Sequence, residues 1–411
     1  MIETGARGSI IERIASVADA QLRPFWLSGT LLVSITVYLA GIAWTWQHTS
    51  YDVWGALLIA PLAVAATAPI ARRVAAEERD PTMMRFILGA LTLKIVMSVV
   101  RYAIAFGYYG GAADSASYHE FGRELSHLLR AGELTTMGSE LTSTGFIRIF
   151  TGVVYAFTGP TMIGGFVVFA WIGFWGLYFF YRAFRIAVPD GEHRRYARLV
   201  MLLPSALFWP SAIGKDAWMC LTLGLAAYGG AKVLRNLRGG FPIAALGIFG
   251  AAVVRPHVAL LFFVAISVGY VLRRGKGGRM FGPLPKLVGV MVIVVAGVFL
   301  LGVVQEFFGV SDVEEGGATQ ALTIAQTRSE QGGSAFKAVP PTSPTRFAWA
   351  GLTVLFRPFP YEAGNVVGLL AALEGLGLLV VCFVRAPRML RAFVNVRANP
   401  YPIFALAYTL L

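Results

Sequence analysis

Apolar segments about as long as a bilayer is thick recur along the chain, and they constrain its fold more than any other feature. The segments are residues 25–46, 53–71, 86–109, 162–181, 199–213, 216–233, 241–254, 258–272, 287–305 and 365–384. A helix needs about 20 consecutive apolar residues to cross the hydrocarbon core of a membrane. The sequence therefore predicts an all-α, polytopic integral membrane protein with about 11 transmembrane helices, plus re-entrant or interfacial helices.

Composition agrees with this interpretation. The 411 residues are 56% hydrophobic and 14% charged, with a mean hydropathy of +0.66, which lies outside the range of ordinary soluble domains. The formal charge of +13 would suit nucleic acid, but the Lys and Arg residues fall in short clusters between apolar segments, where they orient a membrane protein. We therefore interpret residues 1–411 as one transmembrane domain with no nucleic-acid partner.

Some segments depart from a simple span. Segment 241–254 is short, and segment 199–213 contains Pro204 and Pro210, so we predict broken or tilted helices at both places. The last apolar stretch makes only about half a span, and the sequence is therefore expected to be truncated at its C-terminus. At the other end of the sequence, no removable signal peptide is expected.

The distribution of basic residues predicts the orientation. We place the N-terminus in the cytoplasm and treat residues 144–158 and 346–356 as re-entrant or interfacial helices. Of the 35 Lys and Arg residues, 24 then lie on the inner side, 9 lie on the outer side, and 2 lie within a span. A full crossing by residues 144–158 would move every later basic cluster outside, against the positive-inside rule. We therefore predict a multi-pass protein of the cell inner or plasma membrane.

This orientation leaves two long outer loops, at about residues 110–143 and 306–345. The first loop has apolar residues at helical spacing, which predicts a helix on the outer surface of the membrane domain. The second contains two Gly pairs and a Pro-rich stretch, typical of a partly mobile loop that covers a site. The unusual polar clusters of the chain all fall on this side, so we place any chemistry there.

Lys215 and Asp216 stand side by side at an outer corner, within FWPSAIGKDAW. Asp216 either caps the helix that begins there, where its charge suits the helix dipole, or contacts a ligand. A cation near a helix start is unfavourable to the dipole and is not needed for topology. Lys215 is therefore a candidate for binding an anion.

Two further outer corners carry cations. Arg255 and His257 bracket Pro256; Arg255 either snorkels or binds a ligand, and His257 is either a hydrogen-bonded interfacial histidine or a ligand contact. Arg357, in FRPFP, is of the type favoured for bidentate contact with phosphate. Convergence of Lys215, Arg255 and Arg357 would suit a diphosphate.

The first outer loop supplies a candidate acid or base. Asp114 follows the end of the third span, and its carboxylate is either a helix N-cap or a general base for a sugar hydroxyl. His119 and Tyr118 are candidates to stack on a sugar ring or to hydrogen-bond it. An interfacial aromatic belt explains Tyr118 equally well.

Three ionisable residues, Lys94, Arg101 and Glu374, lie within predicted spans. Lys94 and Arg101 are seven residues apart and share a helix face; Glu374 is expected to pair with Lys94, and Arg101 either serves function or snorkels outward. The chain has no phosphate-binding glycine loop, GxSxG or HExxH motif, and Cys220 and Cys382 lie in apolar segments. We therefore expect no metal and no cofactor.

The stretches ADSASYHEFGRELS, PSALFWPSAIGKDA and FRPFPYE resemble bacterial O-antigen and exopolysaccharide polymerase-type membrane proteins, which are related to the C-type fold of membrane glycosyltransferases. The resemblance follows the segment order over most of the chain. It implies sugar transfer from a polyprenyl phosphate or diphosphate on the outer face, with Asp114 activating the acceptor and Lys215, Arg255 and Arg357 binding the lipid phosphate. The chain departs from protein mannosyltransferases because its polar outer loop follows the third span rather than the first.

The leading hypothesis is a membrane glycosyltransferase or polysaccharide polymerase that acts on polyprenyl-linked saccharides among membrane lipids, with envelope polysaccharide assembly proteins as possible partners. Asp114 would be catalytic, and the substrate would be bound by Lys215, Asp216, Arg255, His257, Arg357 and His119. One rival is a transporter or flippase of lipid-linked saccharides, with the ionisable residues of the spans along a continuous polar path. The other is a non-catalytic envelope scaffold, whose outer charges would point in different directions.

Overall fold

The computed structural model describes residues 32–111, 113–272, 283–308, 344–394 and 400–410, and this part of the chain contains helices and no strand. The helices, in chain order, are α1 (residues 32–48), α2 (Tyr51–Glu77), α3 (Thr82–Tyr102), α4 (Asp114–Arg130), α5 (Ser143–Thr158), α6 (Met162–Ala187), α7 (His193–Leu202), α8 (Pro204–Phe208), α9 (Lys215–Leu234), α10 (Gly240–Val254), α11 (Pro256–Leu272), α12 (Pro283–Phe308), α13 (Pro344–Phe356), α14 (Val366–Val394) and α15 (Pro400–Leu410). A π-helix, Ala103–Tyr108, continues α3.

The prediction of an all-α fold is confirmed, and several helices of the described chain could span a membrane. Five stretches of the described chain are long and apolar enough to cross a membrane: Tyr51–Glu77, Thr82–Tyr108, Met162–Ala187, Lys215–Leu234 and Val366–Met389. Shorter apolar helices occur at Gly240–Val254, Pro256–Leu272 and Ile293–Phe307. The count of about 11 transmembrane helices stays a prediction.

Helices α6, α9 and α10 form the centre of the bundle because small residues let their backbones touch. A Cβ on Gly176 of α6 would lie 2.1 Å from the carbonyl oxygen of Cys220 on α9, and one on Gly224 would lie 2.3 Å from the Gly176 oxygen. On the other side of α9, a Cβ on Gly247 would lie 2.4 Å from the Ala226 nitrogen. Apolar side chains gain little by moving from lipid to a helix interface, so close backbone packing is what holds membrane helices together.

Residues 144–158 do not cross the bundle, as the basic-residue count predicted. The last residue of α5, Thr158, accepts a hydrogen bond from Tyr51 at the start of α2 (3.0 Å). The first residue, Ser143, accepts one from Lys215 at the start of α9 (3.3 Å). Since α2 and α9 both begin at this end of the bundle, α5 lies across it. We call it the α4 end, because α4 packs on α5 through Gly122, whose Cβ would lie 2.7 Å from Thr151.

The predicted break in segment 199–213 is confirmed. Helix α7 ends at Leu202, the short helix α8 starts at Pro204, and a single 3-10 turn, Trp209–Ser211, contains Pro210 in a non-helical conformation. Proline cannot donate a backbone hydrogen bond and clashes with the preceding turn, so it interrupts a continuous helix. Irregular backbone at membrane depth persists only where protein or water satisfies its polar groups.

Two charged side chains supply that satisfaction at opposite ends of α8. Glu374 accepts hydrogen bonds from the backbone nitrogen and the hydroxyl of Ser205, both at 2.7 Å. The Lys94 ammonium, which is fully buried, donates to the carbonyl oxygens of Ala206 (2.8 Å) and Leu207 (3.4 Å). An anion at the helix start and a cation at its end both match the helix dipole. The expected direct pair between Glu374 and Lys94 is therefore wrong, because each contacts the helix between them.

The opposite end of the bundle carries ion pairs between the C-terminal ends of α2 and α6. Arg182 contacts Glu77 at 2.8 Å, and Arg185 contacts Glu78 at 2.9 Å. Arg235 follows the end of α9, which runs alongside α6, so the basic clusters around Arg182 and Arg235 lie at one end, as the basic-residue count requires. Which side of a membrane this end faces stays a prediction.

Several predictions fall on residues outside the described part of the chain. These are the start of the first apolar segment, at 25–31, the basic corner at 273–282, and most of the second long loop, at 309–343. The predicted interfacial helix at 346–356 lies within α13, Pro344–Phe356. The final apolar segment of the sequence forms α15, Pro400–Leu410.

The contact between α6 and α9 predicts a strong response to a larger residue at its centre. Gly176→Val places side-chain atoms against the Cys220 backbone, and we expect a loss of about 1–3 kcal/mol or more in stability. Thermal unfolding of the detergent-purified protein measures it. The matched control is Gly89→Val on α3, since a Cβ on Gly89 meets nothing within 4 Å; equal melting temperatures for the two variants would contradict this packing.

The α8 contacts predict that Lys94→Met destabilises the protein by about 1–3 kcal/mol, because buried carbonyl groups lose their donor. Glu374→Gln is expected to cost less, since the amide oxygen still accepts from Ser205. Thermal unfolding compares both with Thr92→Met, a change at an exposed position of the same helix as Lys94. A Lys94→Met protein as stable as wild type would show that the ammonium does not hold α8.

Candidate functional site

The candidate site lies where the starts of α4, α5 and α9 meet the end of α10. Six residues with polar or charged side chains are brought to this region: Tyr118 is influenced by the charges of Asp114, Arg148 and Asp216, Asp216 pairs with Arg255, and Lys215 precedes Asp216 in the first turn of α9. They are Asp114, Tyr118, Arg148, Lys215, Asp216 and Arg255, and we call them the α4-end cluster. Its placement follows from the α6–α9 contact, because that contact fixes where α9 begins.

Asp216 is held in the first turn of α9 by an ion pair. Its Oδ1 accepts a hydrogen bond from Nη2 of Arg255 at 3.1 Å, with 48% and 41% of the two side chains exposed. Gly214 occupies the N-cap position of α9 without a side-chain cap bond. The interpretation of Asp216 as the cap is therefore replaced: its charge still suits the start of the helix, but its side chain orients Arg255.

Lys215, one residue earlier, points toward α5. Its Nζ donates to the hydroxyl of Ser143 at 3.3 Å, and its side chain is half-buried. This contact joins α9 to the helix that lies across the α4 end. Lys215 and Asp216 thus share the first turn of α9, and their side chains contact Ser143 and Arg255, respectively.

Tyr118 forms the floor of the cluster. Only 2% of it is exposed, and a Cβ on Gly214 would lie 3.9 Å from its ring. Burial, and then the Asp114 charge, raise the pKa of the Tyr118 hydroxyl, which hydrogen-bonds with the Thr144 side chain. Asp216 also acts on this hydroxyl. Both carboxylates therefore act on Tyr118, which remains a neutral hydroxyl at physiological pH.

Asp114 is the first residue of α4, and its side chain is exposed. The N-cap position belongs to Ala113, which has no side-chain cap bond. Arg148 of α5 is placed nearby, because its Nη2 donates to the Ser117 hydroxyl at 3.0 Å. Asp114 is thus not the N-cap of α4 in the structure, and its carboxylate is exposed.

The formal charges of the cluster favour an anionic ligand. Its cations are Arg148, Lys215 and Arg255, and its carboxylates are Asp114 and Asp216, so the cations are in excess. One carboxylate already orients Arg255. Arg and Lys side chains grouped at a helix start suit phosphate oxygens, which accept charge-assisted hydrogen bonds.

His119 belongs to the packing of α4 on α5. Its Nδ1 lies 2.7 Å from the hydroxyl of Tyr155, a fully buried residue, and the two rings meet edge to face at 5.4 Å. Burial is the main cause that lowers the pKa of His119, and the nearby Asp52 charge opposes it. The structure thus gives His119 a packing contact on the α4–α5 side of the cluster; its proposed contact with a sugar stays a prediction.

His257 and Arg357 occupy other corners. The His257 ring packs on Phe307 near the end of α12, with centroids 5.7 Å apart. Arg357 follows α13 and donates from Nε to both Glu362 oxygens, at 3.0 and 2.9 Å. That hydrogen bonding lowers the pKa of Glu362. Convergence of Arg357 with Lys215 and Arg255 stays a prediction.

Sequence reasoning named Asp114, Lys215, Asp216 and Arg255 but did not assign Arg148 to the site. Arg148 lies in a short helix with no charged neighbour, so no local pattern marked it. Only the packing of α5 on α4 brings it to Ser117. The available signal was its count among the few cations on the predicted outer side.

No protein family, curated protein or solved structure matches the chain. The geometry and chemistry of the α4-end cluster therefore carry the functional argument.

The lowered pKa of His119 predicts acid sensitivity of the α4–α5 contact. The unfolded chain takes up a proton below about pH 6.5, before the folded protein does, so stability falls as the pH drops from that value toward the folded-state pKa. His119→Gln removes this proton uptake, and its melting temperature should fall less between pH 7.5 and pH 5.5. His127→Gln, on the exposed face of α4, is the control; equal slopes for all three proteins would contradict the prediction.

Proposed function

We propose that the chain is a membrane glycosyltransferase or polysaccharide polymerase that uses sugars linked to polyprenyl phosphate or diphosphate. The observation that carries the proposal is the excess of cations beside an exposed carboxylate in the α4-end cluster. On the predicted orientation this end is extracytoplasmic, and about 11 helices cross the membrane. A lipid-linked phosphate would reach the cluster from the bilayer without a nucleotide.

The α4-end cluster suits both halves of the reaction. Lys215 and Arg255 would bind the phosphate and stabilise the negative charge that develops when it leaves. Asp114 would accept the proton of the acceptor hydroxyl, while the hydroxyl oxygen forms a bond to the anomeric carbon and the bond from that carbon to the phosphate oxygen breaks. The products are a longer glycan, a lipid phosphate or diphosphate, and a proton on Asp114.

The other residues support this arrangement. Asp216 holds Arg255 through their ion pair, so it is a positioning residue. Helix α4 has one polar and one apolar face, and its exposed first residue, Asp114, lies beside α5 at the end of the bundle. We retain His119, His257 and Arg357 as proposed contacts of the saccharide or its carrier, and envelope polysaccharide assembly proteins as proposed partners.

The transporter alternative needs a polar path through the bundle. Lys94, Arg101 and Glu374 are the residues expected to line it. Lys94 and Glu374 instead contact the backbone or side chain of α8, and Lys94 is fully buried. Their use as supports of a broken helix favours an enzyme over a transporter.

The scaffold alternative requires outer charges that point in different directions. In the described part of the chain, Asp114, Lys215 and Arg255 gather around the first turn of α9 instead. Grouped charges of both signs at one end of the bundle favour a binding site.

The proposed function predicts separate losses from substitutions of the base and of the cations. In nanodiscs supplied with a radiolabelled polyprenyl-diphosphate oligosaccharide, Asp114→Asn should slow glycan elongation by about 100-fold or more, with lipid binding retained. Lys215→Ala and Arg255→Ala should weaken binding of the lipid by about tenfold or more.

Arg123→Ala is the matched control, because Arg123 pairs with Glu120 on the exposed face of α4. It should elongate glycans at the wild-type rate. Wild-type elongation by all three site variants would overturn the proposal. Movement of the labelled lipid between leaflets without elongation would instead support the transporter.

A further inference from the structure

Arg101 has an environment that the predicted roles of the chain do not explain. It lies in the last turn of α3, at the point where the π-helix Ala103–Tyr108 begins. Its guanidinium carbon is 4.7 Å from the ring centroid of Phe208 and 4.8 Å from that of Trp209. Both rings belong to FWPSAIGKDAW, so the broken segment that leads into α9 also holds Arg101.

The Arg101 guanidinium has an unsatisfied donor among the residues that the structure describes. Its Nε is buried, and no hydrogen-bond partner for it exists among the described residues. The carboxylate whose charge acts on Arg101 is Asp216, and that carboxylate already accepts from Arg255. Buried donors nearly always have partners, and a charge in a membrane segment is costly unless it is paired. Arg101 is therefore short of an anion.

The rings determine which chemistry could supply that anion. A guanidinium that lies against aromatic faces keeps its hydrogen-bonding edge available in its own plane. Two parallel N–H donors in that plane match a phosphate or carboxylate group. Phe208 and Trp209, which contact Arg101, belong to the segment that leads into Lys215 and Asp216, and the Asp216 charge acts on Arg101, so Arg101 lies on the side of the bundle that carries the α4-end cluster.

We propose that Arg101, oriented by Phe208 and Trp209, is a principal phosphate-binding residue of this protein. Phosphate oxygens would accept hydrogen bonds from its guanidinium edge, and Lys215 and Arg255 would neutralise the remaining charge. The oxyanion chemistry follows from the contacts of Arg101; that the phosphate belongs to a polyprenyl carrier rests on the proposed function.

The adjoining π-helix agrees with this assignment. Six residues, Ala103–Tyr108, adopt the wider π turn directly after Arg101, and π segments are frequent at functional sites. The alternative is that Arg101 only snorkels toward the headgroups. Snorkelling needs a cation but not a planar one. The two explanations therefore predict different phosphate affinities for Arg101→Lys.

The proposal is tested by measuring how polyprenyl diphosphate binds to the full chain in nanodiscs. Native mass spectrometry detects the bound lipid. Arg101→Lys keeps the charge but loses the planar pair of donors, and we expect its affinity to fall by about tenfold or more. Arg101→Ala should fall further, and Trp209→Ala should fall in between because the guanidinium loses one ring. Arg123→Ala, on the exposed face of α4, should bind as wild type.

Thermal unfolding identifies variants that are lost to misfolding, and Arg101→Lys keeps the test informative if Arg101→Ala does not fold. Wild-type affinity in Arg101→Lys would overturn the proposal and support snorkelling. Inorganic diphosphate, used as a second probe, separates a site for free phosphate from a site for the lipid carrier. Competition between inorganic diphosphate and the lipid supports a shared oxyanion site. If Arg101→Lys loses binding of the lipid but not of inorganic diphosphate, the site needs the carrier.

The same variants separate this proposal from the proposed function. If wild type binds polyprenyl diphosphate, loses it in Arg101→Lys and elongates no glycan, the phosphate site stands and the glycosyltransferase does not. If wild type elongates glycans and Arg101→Lys does so equally with equal binding, the enzyme stands and the role of Arg101 does not.

Discussion

The backbone contact between α6 and α9 is the constraint on which the rest of the structure depends. At Gly176 and Gly224 the two helices approach so closely that a Cβ on either residue would overlap a carbonyl group. Because α6 and α9 run parallel, this contact fixes the position of one helix relative to the other along their axes. As a result, α9 begins at the α4 end. The chain between α6 and α9 then has to return within a short, proline-broken segment, which needs support from outside itself.

That support links the interior of the bundle to its surface chemistry. Lys94 and Glu374 hold the two ends of α8, and the last residue of α8, Phe208, and the next residue, Trp209, lie against Arg101. The next residues begin α9, where Lys215 and Asp216 contact Ser143 and Arg255. Intramembrane charges that looked like a polar pathway therefore support the backbone that builds the proposed site.

Hydropathy and basic-residue counting predicted the helical class, the break at Pro204 and Pro210, and the position of α5 across one end, because segment length and charge are local properties. Pairing of side chains was not predictable in the same way. The expected Lys94–Glu374 pair failed since depth alone cannot show a helix between two charges. Arg148 was missed, and Arg101 was left with two roles, because their neighbours come from distant parts of the chain and only packing brings them together.

The central claim is that phosphate binds where Arg101, Lys215 and Arg255 surround the start of α9. The most direct measurement is a cryo-electron microscopy structure of the protein with polyprenyl diphosphate in nanodiscs. The account predicts phosphate density within hydrogen-bond distance of the Arg101 guanidinium and close to the other two cations. Phosphate density at the opposite end of the bundle, near Arg182, or in a place that Arg101 does not reach would contradict it.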